Sequence, residues 1–425
     1  MTIQQLHTLF LQCTSACTDT RKIETNTLFF ALKGANFNGN KFAKNAIDQG
    51  AKFAVIDEKE YASNNTILVE NVLETLQKLA TYHRHYLKIP IIALTGSNGK
   101  TTTKELINAV LSQSYKTTAT IGNLNNHIGV PLTLLSMNKT TEIGIVEMGA
   151  NHLKEIEFLC SLTDPNYGYI TNFGKAHLEG FGSVQGVIKG KSELYNHLIA
   201  NDATIFVNKN DAKQVELTKE ADVFSFGTSA SHIDINLVNA DPFVVCSFND
   251  TIISSHLIGT YNYNNISAAI AIGHYLNIST EAIKQGIENY IPENNRSQIV
   301  NKDNYTIILD AYNANPTSME AALQNLSQQS SANKIAILGD MFELGETAET
   351  EHQTIADLAI QLNIDSILLL GDNFANVKAS NTNVQKFKTF ENFKNSRSLK
   401  IDKDTTILIK GSRGMALERV LELLE

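Results

Sequence analysis

The stretch from residue 89 to residue 113 constrains the fold of this chain more than any other. IPIIALT is a short apolar run that predicts a buried strand, GSNGK is a turn of small residues, and TTTKELINAVLSQ has the apolar spacing of an amphipathic helix. Backbone N–H groups at the start of a helix, together with the helix dipole, attract anions. The unit therefore predicts a phosphate-binding loop at residues 95–101.

Each residue type in this loop has a part in that chemistry. Glycines let the backbone approach the phosphates, Lys100 can lie along the β- and γ-phosphates, and the hydroxyl of Thr101 can ligate Mg²⁺. The usual loop has a glycine where Leu94 stands, so this loop is a shortened version, and an ordinary glycine turn is the alternative interpretation. The expected nucleotide-binding residues of the loop are Gly96, Ser97, Asn98, Gly99, Lys100, Thr101 and Thr102.

The 425 residues are too many for one hydrophobic core, and we expect three domains. Residues 1–87 mix short strand-like runs with helical periods and predict a small α/β domain. Residues 88–297 predict a mostly parallel sheet covered by helices, with an antiparallel excursion at 222–256 and a helix at 262–276. Residues 298–425 alternate strands and helices in the doubly wound pattern. The predicted fold class is α/β.

Composition limits the partners of the chain. With 43% hydrophobic and 19% charged residues it resembles a globular protein, and a net charge of -9 argues against nucleic acid as a partner. The start lacks a signal-peptide pattern, and no apolar run approaches 18 residues, so we expect no membrane insertion. Cys13, Cys17, Cys160 and Cys246 form no CxxC pair, which suits a reducing cytoplasm and offers no zinc site.

The loop TGSNGKTTTKEL closely resembles the ATP loop of the Mur ligases and of their relatives, the folylpolyglutamate and cyanophycin synthetases. Other segments are similar to the branch of the Mur ligases that adds D-alanyl-D-alanine, and together they extend the resemblance over almost the whole chain. These segments are GNLNNHIGVPLTLL (122–135), EMGANHLKEI (147–156), TNFGKAHLEGFGS (171–183), DAYNANPTSMEAAL (310–323), LGDMFELGE (338–346) and KGSRGMALERV (410–420).

The resemblance implies the three-domain Mur ligase architecture. Its N-terminal domain would bind the UDP part of the substrate, and its central domain, similar to P-loop ATPases, would bind ATP. The C-terminal domain, Rossmann-like, would bind the incoming dipeptide and close over ATP. The implied reaction joins D-alanyl-D-alanine to a UDP-muramoyl tripeptide through an acyl phosphate, in cytoplasmic peptidoglycan precursor synthesis. The implied partners are these small molecules, and we expect a monomer.

Mg²⁺ prefers hard oxygen ligands, and Glu147 ends the apolar strand IGIVE, where ligands of parallel sheets gather. A strand-terminal glutamate can also be a helix cap, but the family pattern EMGA favours a metal ligand beside Thr101. The resemblance makes His177 a ligand of a second Mg²⁺. It also makes Lys191 a lysine that CO₂ converts to a carbamate, with Lys189 as the rival. A lysine that contacts phosphate is the alternative for either.

Further roles come from the resemblance alone. Asn262 and Asn265 match positions that contact the nucleotide, although Tyr261 stands where the family often has histidine. Arg296 and Asp310 match residues that hold the phosphates and ribose. The expected catalytic residues are Lys100, His177 and Lys191. The expected contacts of the UDP-linked substrate are Thr20, Arg21, Asn125, Asn126 and His127, and those of the dipeptide are Asn313, Asn315, Lys410, Ser412 and Arg413.

Two other functions stay open at this point. The first is a sister ligase that adds a single amino acid, or a folylpolyglutamate-type enzyme. The DNPR-like signature of the diaminopimelate-adding sister is absent, and NANPTSMEAAL stands where the sisters differ. The second is a non-catalytic nucleotide-binding protein. The joint presence of Lys100, Thr101, Glu147, His177 and Lys191 argues against it.

Overall fold

Three main sheets with covering helices follow one another along the chain, and each uses strands from one stretch of sequence; a two-stranded hairpin and a three-stranded antiparallel sheet accompany them. The computed structural model describes residues 1–228, 230–293, 295–396, 399 and 401–424. None of the helices in this part of the chain is long and apolar enough to cross a membrane.

The first sheet has four parallel strands in the order β1-β2-β5-β6. A small hairpin, β3 and β4, lies beside it. Apolar side chains of the strands pack against the long helix α3, whose first turn is capped by Asn71. The elements are α1 (Ile3–Phe10), β1 (Ala16–Cys17), β2 (Leu28–Phe30), β3 (Lys33–Gly34), β4 (Phe37–Asn38), α2 (Ala43–Asp48), β5 (Phe53–Ile56), β6 (Thr66–Leu68) and α3 (Val72–Leu87).

The second sheet has seven parallel strands in the order β13-β12-β11-β10-β7-β9-β8. Its inner strand β7, between β10 and β9, is fully buried and leads directly into the loop before α4. The elements are β7 (Ile91–Thr95), α4 (Lys100–Leu111), β8 (Thr117–Ala119), α5 (Gly129–Ser136), β9 (Ile143–Glu147), α6 (Glu155–Thr163), β10 (Tyr167–Ile170), α7 (Leu178–Phe181), α8 (Val184–Ala200), β11 (Thr204–Asn208), α9 (Ala212–Leu217), β12 (Val223–Gly227) and β13 (Ile233–Asp234).

An antiparallel sheet, β14-β15-β16, and two helices complete this stretch. The prediction of one antiparallel excursion at 222–256 was wrong in its first third, because β12 and β13 join the parallel sheet. The first two residues of β12 are half-buried and the last three are buried, so its local sequence has no clear alternation that would indicate which kind of sheet it joins. The elements are β14 (Asn236–Asn239), β15 (Phe243–Phe248), β16 (Thr251–Ile258), α10 (Tyr261–Tyr275) and α11 (Thr280–Glu288).

The third sheet has the order β17-β18-β22-β19-β20-β21, with β17 antiparallel and the remaining pairs parallel. The sequence pattern predicts the four inner strands and misses the partly exposed edge strands β17 and β21. The elements are β17 (Gln298–Asn301), β18 (Tyr305–Asp310), α12 (Pro316–Gln328), β19 (Asn333–Gly339), α13 (Ala348–Gln361), β20 (Ser366–Leu370), α14 (Asp372–Ala375), β21 (Val384–Phe387), α15 (Phe390–Ser396) and β22 (Thr405–Lys410).

The domain limits at 87 and 297 stay a prediction. They fall between α3 and β7 and between α11 and β17, where the chain leaves one sheet for the next. In the second sheet, the parallel register pairs Leu94 with Glu147 and Thr95 with Ile170. The strand ends therefore gather polar groups at one edge of the sheet, next to the loop that follows β7.

A buried chain of two histidines joins α1 and α3 to the second sheet's helical layer. His7 Nε2 lies 2.9 Å from His83 Nδ1, and His83 Nε2 lies 2.9 Å from the carbonyl oxygen of Met137. A carbonyl only accepts, so His83 donates through Nε2, and His7 must then donate to the free Nδ1 of His83. The His83 ring is neutral in this arrangement, since a proton on its Nδ1 would oppose the N–H of His7.

This histidine pair predicts a loss of stability in mild acid. Burial and the neighbouring His83 lower the pKa of His7 to about 4, and burial lowers the pKa of His83. In the unfolded chain these histidines bind protons near pH 6.5. Between about pH 6.5 and 4 the unfolded state therefore holds more protons than the folded state, and the free energy of unfolding decreases as the pH is lowered. His7→Phe should lose less stability than the wild type between pH 7 and 5 in urea unfolding. An equal loss of stability in the variant and the wild type would show that the buried His7–His83 pair does not cause the acid sensitivity.

Candidate functional site

A cavity of about 920 Å³ lies between the carboxyl edges of the second and third sheets. The structure brings most of the predicted site residues to its wall, but Gly96 and Lys191 lie behind the wall, and Thr20 and Arg21 lie outside it. Its lining includes Ser97, Asn98, Gly99, Lys100, Thr101, Thr102, Asn125, Asn126, His127, Glu147, His177, Asn262, Asn265, Arg296, Asp310, Asn313, Asn315, Lys410, Ser412 and Arg413.

The phosphate loop is clamped against the end of β10. Gly96 has φ +142°, and a Cβ at this position would lie 2.0 Å from Thr171 Oγ1, so only glycine fits. Ser97 N–H donates to the Asn172 carbonyl at 3.0 Å, and Asn98 N–H donates to Asn172 Oδ1 at 3.1 Å. The loop backbone is therefore held in place by the neighbouring strand before any ligand arrives.

Lys100 begins α4 and reaches back over the loop. Its ammonium donates to the carbonyl oxygens of Gly96 at 2.9 Å and Ser97 at 3.3 Å. Burial lowers the pKa of Lys100, the charge of Glu147 opposes this, and Arg296 adds to it. A cation held at the loop is suited to neutralise an anionic ligand.

Glu147 is buried at the end of β9 and joins the phosphate loop to the loop before α5. Its Oε2 accepts from the Thr101 hydroxyl at 2.9 Å, and its Oε1 accepts from Asn125 Nδ2 at 2.8 Å. Its backbone N–H donates to Thr120 Oγ1 at 3.0 Å. A carboxylate, a hydroxyl and an amide thus meet at one point of the cavity wall.

This set of hard oxygen donors fits Mg²⁺, which usually takes one or two protein carboxylates and completes its shell with water and substrate phosphates. The fit does not extend to a closed metal cage: no group of three or more His, Cys, Asp and Glu side chains is arranged for a metal within the part of the chain that is described. Thr101 and Glu147 are consequently the protein groups best placed to hold a cation beside a bound phosphate.

His177 lies on the same cavity wall but is bonded across it. Its Nδ1 lies 2.5 Å from Glu343 Oε2, on the loop after β19 of the third sheet, and this hydrogen bond holds the pKa of Glu343 below its usual value. A carboxylate that holds one ring nitrogen fixes the direction of the other. Glu343 was not among the predicted residues.

Lys191 is fully buried in α8, directly behind the cavity. Its ammonium donates to the carbonyl oxygen of Ala150, a wall residue, at 2.9 Å and lies 5.3 Å from the centre of the Phe181 ring. Burial, aided by the charge of Lys100, brings the pKa of Lys191 well below its ordinary value. Lys189, the alternative, is exposed on the other side of the helix.

The two asparagines of α10 form a chain of hydrogen bonds to α4, the helix that follows the phosphate loop. Asn265 Oδ1 accepts from Thr103 at 3.0 Å, and Asn265 Nδ2 donates to Asn262 Oδ1 at 2.8 Å. Tyr261, which stands where the family often has histidine, shares a hydrogen bond of 2.9 Å with Ser297 Oγ. Tyr261 therefore connects α10 to the start of the third sheet.

The third sheet brings its charged groups to the opposite wall. The register of β18 and β22 pairs Asp310 with Lys410, and the Lys410 ammonium donates to Asp310 Oδ2 at 2.5 Å. Arg413 donates to Glu418 at 2.8 Å. Arg296 lies 3.6 Å from the centre of the Tyr312 ring and has no ion-pair partner among the described residues. Its guanidinium is thus the cation most available to a ligand.

The predicted substrate residues divide into two groups. Asn125 bonds Glu147, Asn126 Oδ1 accepts from the N–H of Gly129 at 2.9 Å, and His127 is exposed on the rim. The side chain of Arg21, by contrast, is 87% exposed and pairs with Asp19, two residues earlier in the sequence. Arg21 lies outside the cavity lining.

Several wall residues were not singled out in the sequence. All except Phe158 lie inside segments that resemble the family, so the sequence held a signal, but a motif does not tell which of its residues face the cavity. These residues are Asn123, Asn151, His152, Glu155, Phe158, Asn172, Tyr312, Thr317, Phe342 and Glu343.

Family models match three stretches of the chain. "Mur ligase family, catalytic domain" matches residues 14–84, "Mur ligase middle domain" matches 94–273, and "Mur ligase, glutamate ligase domain" matches 295–413.

Relatives match over nearly the full length. The UDP-N-acetylmuramoyl-tripeptide–D-alanyl-D-alanine ligase of Bacillus subtilis is 34% identical over 95% of this chain and 92% of its own, and that of Escherichia coli is 33% identical over 96% and 93%. Among solved structures, MurF from Acinetobacter baumannii is 31% identical with a TM-score of 0.84 over 100% of this chain and 98% of its own. MurF ligase from Thermotoga maritima in complex with ADP is 25% identical with a TM-score of 0.84 over 97% of each chain.

The Glu147 network generates a prediction about cation binding. Glu147→Gln keeps an acceptor for the Thr101 hydroxyl but removes the negative charge, so we expect the affinity for Mn²⁺ in the presence of ADP to fall about tenfold, an effect of roughly 1.4 kcal/mol. Titration calorimetry measures this affinity without turnover. Unchanged affinity, with unfolding like that of the wild type, would place the cation elsewhere.

Proposed function

The chain belongs to the Mur ligase family, and from this we propose that it joins D-alanyl-D-alanine to UDP-N-acetylmuramoyl-tripeptide in a reaction driven by ATP. The observation that carries the proposal is the cavity itself. It is lined on one wall by the phosphate loop with Lys100 and Glu147, and on the other by Arg296 and Lys410. Relatives with this named activity match the chain along both walls.

The proposed reaction has two steps. The terminal carboxylate of the tripeptide attacks the γ-phosphate of ATP, the bond to the β-phosphate oxygen breaks, and an acyl phosphate and ADP form. The amine of the dipeptide then attacks the acyl carbon, phosphate leaves with the bonding electrons, and the amine proton passes to solvent. The product is the UDP-muramoyl pentapeptide, a precursor of peptidoglycan.

The residues act by position and charge in this scheme. Lys100, on the clamped loop, neutralises phosphate oxygens, and Arg296 does so from the opposite wall. Mg²⁺, held by Thr101 and Glu147, would spread the charge that develops on the γ-phosphate. Asn262, Asn265 and Asp310 then border the nucleotide, and Lys410, Ser412, Arg413, Asn313 and Asn315 border the dipeptide.

Lys191 is proposed to carry a carbamate. Carboxylation by CO₂ needs a neutral amine, and the buried position of Lys191, with Lys100 nearby, favours that form. The neutral nitrogen attacks CO₂ and loses a proton, which gives an anionic carbamate whose oxygens would be ligands for a second Mg²⁺ near His177. Its position directly behind Ala150 of the cavity wall supports Lys191 over the exposed Lys189.

The remaining assignments concern the outer parts of the substrate. We propose that residues 1–87 bind the UDP part through Thr20 and Arg21, that 88–297 bind ATP, and that 298–425 bind the dipeptide. Asn125, Asn126 and His127 would contact the sugar or the peptide between these regions, since they line the cavity on the side of α3.

The activity is tested by offering the protein ATP, Mg²⁺, a panel of UDP-muramoyl peptides, and either the dipeptide or single amino acids. The mass of the product separates this ligase from its sisters. The Lys100→Ala variant should fold normally, and its kcat should be at least a hundredfold lower, because the positive charge that neutralises the transferred phosphate is lost. Near-normal turnover of this variant would refute the role of the loop.

The carbamate is tested by chemical rescue. Lys191→Ala should be nearly inactive and should regain part of its activity with added acetate or formate, which return a carboxylate to the site. Lys189→Ala is the matched control and should keep most of its activity. Rescue of Lys191→Ala by small amines but not by acids would identify a cationic lysine and refute the carbamate.

A further inference from the structure

A short loop of the second sheet contacts the third sheet's domain at several points. This loop, residues 172–179, follows β10 and ends in α7, and we call it the docking loop. Its Lys175 N–H donates to Thr317 Oγ1 at 3.0 Å, and its Glu179 N–H donates to the Glu343 carbonyl at 3.2 Å. The contacts reach the first turn of α12 and the loop after β19.

The docking loop is also bound to the phosphate loop. Ser97 Oγ donates to the carbonyl oxygen of Gly174 at 2.8 Å. A Cβ on Gly174 would lie 3.0 Å from both Asn98 Nδ2 and Thr317 Oγ1, so the backbone here fits closely between the phosphate loop and α12. Asn315 at the start of α12 donates to Asn98 Oδ1 at 2.7 Å. The three segments therefore form one continuous contact.

One ion pair in this contact serves none of the roles described above. The Lys175 ammonium lies 2.6 Å from Glu351 Oε1 in the first turns of α13. The Glu351 side chain is only 10% exposed, whereas that of Lys175 is 47% exposed, and neither residue lines the cavity. A carboxylate buried to this degree depends on its cation, and separation of the two domains would remove it.

We propose that Lys175 and Glu351 form an interdomain latch that positions the phosphate loop against the third domain. The latch rests on the proposed function, because its purpose is to keep Arg296 and Lys410 opposite Lys100 during the reaction. Both residues are positioning residues: they act through the docking loop, and neither is placed to touch a substrate. Weakening the pair should favour an arrangement in which the two walls of the cavity are apart.

The test compares Lys175→Gln, Glu351→Gln and the exchanged pair K175E/E351K with the wild type. Solution X-ray scattering of the full chain, with ADP and Mg²⁺ bound, reports the separation of the domains without turnover. We expect a larger radius of gyration for both single variants and recovery in the exchanged pair. With the ligase assay, kcat/KM for the dipeptide should fall about fivefold in the single variants and recover in the exchange.

Lys213→Gln is the matched control. Lys213 is 38% exposed and pairs with Glu216 at 2.5 Å, but within one helix of one domain. It should leave both scattering and kcat/KM unchanged. Wild-type scattering in Lys175→Gln, or no recovery in the exchanged pair, would overturn the latch. A wild-type protein with no ligase activity would instead refute the proposed function, while the scattering comparison would still decide the latch.

Discussion

The clamp between the phosphate loop and the end of β10 is the constraint on which the site depends. Gly96 can lie against Thr171 only because it has no side chain, and Asn172 then fixes the next two N–H groups. Once the loop is fixed, α4 starts at Lys100 and brings Thr101 within 2.9 Å of Glu147. The first wall of the cavity thus follows from one close contact between neighbouring parallel strands.

The second wall is built independently and must be aligned with the first. In the third sheet the register of two adjacent strands places Asp310 beside Lys410. The Lys410 ammonium is already paired with Asp310. Arg296, stacked on Tyr312, is therefore the more available cation for an anionic ligand. In the proposed reaction both walls contact the substrates, so the contacts that join the domains would be as necessary as the residues that bind the ligands.

These joining contacts concentrate in the docking loop. His177 pairs with Glu343, and Lys175 pairs with Glu351, so two side chains two positions apart meet two different segments of the third domain. The same loop accepts a hydrogen bond from Ser97, so displacement of the third domain would also shift the phosphate loop. In the proposed reaction, this contact would couple the arrangement of the domains to the position of the phosphate that Lys100 binds.

The sequence by itself determined the strand, loop and helix unit, the parallel character of the second sheet and the residue types of the site, because these follow from local periodicity and from motifs of adjacent residues. The sequence did not predict the edge strands β17 and β21, since an edge strand has a weak burial pattern. It also did not predict that β12 and β13 join the parallel sheet, because strand pairing depends on residues distant in the sequence. Only the tertiary structure decided which charges pair. Glu343 is 166 residues from His177, and Glu351 is 176 residues from Lys175. An ion pair depends on the distance between two atoms, and folding alone sets that distance.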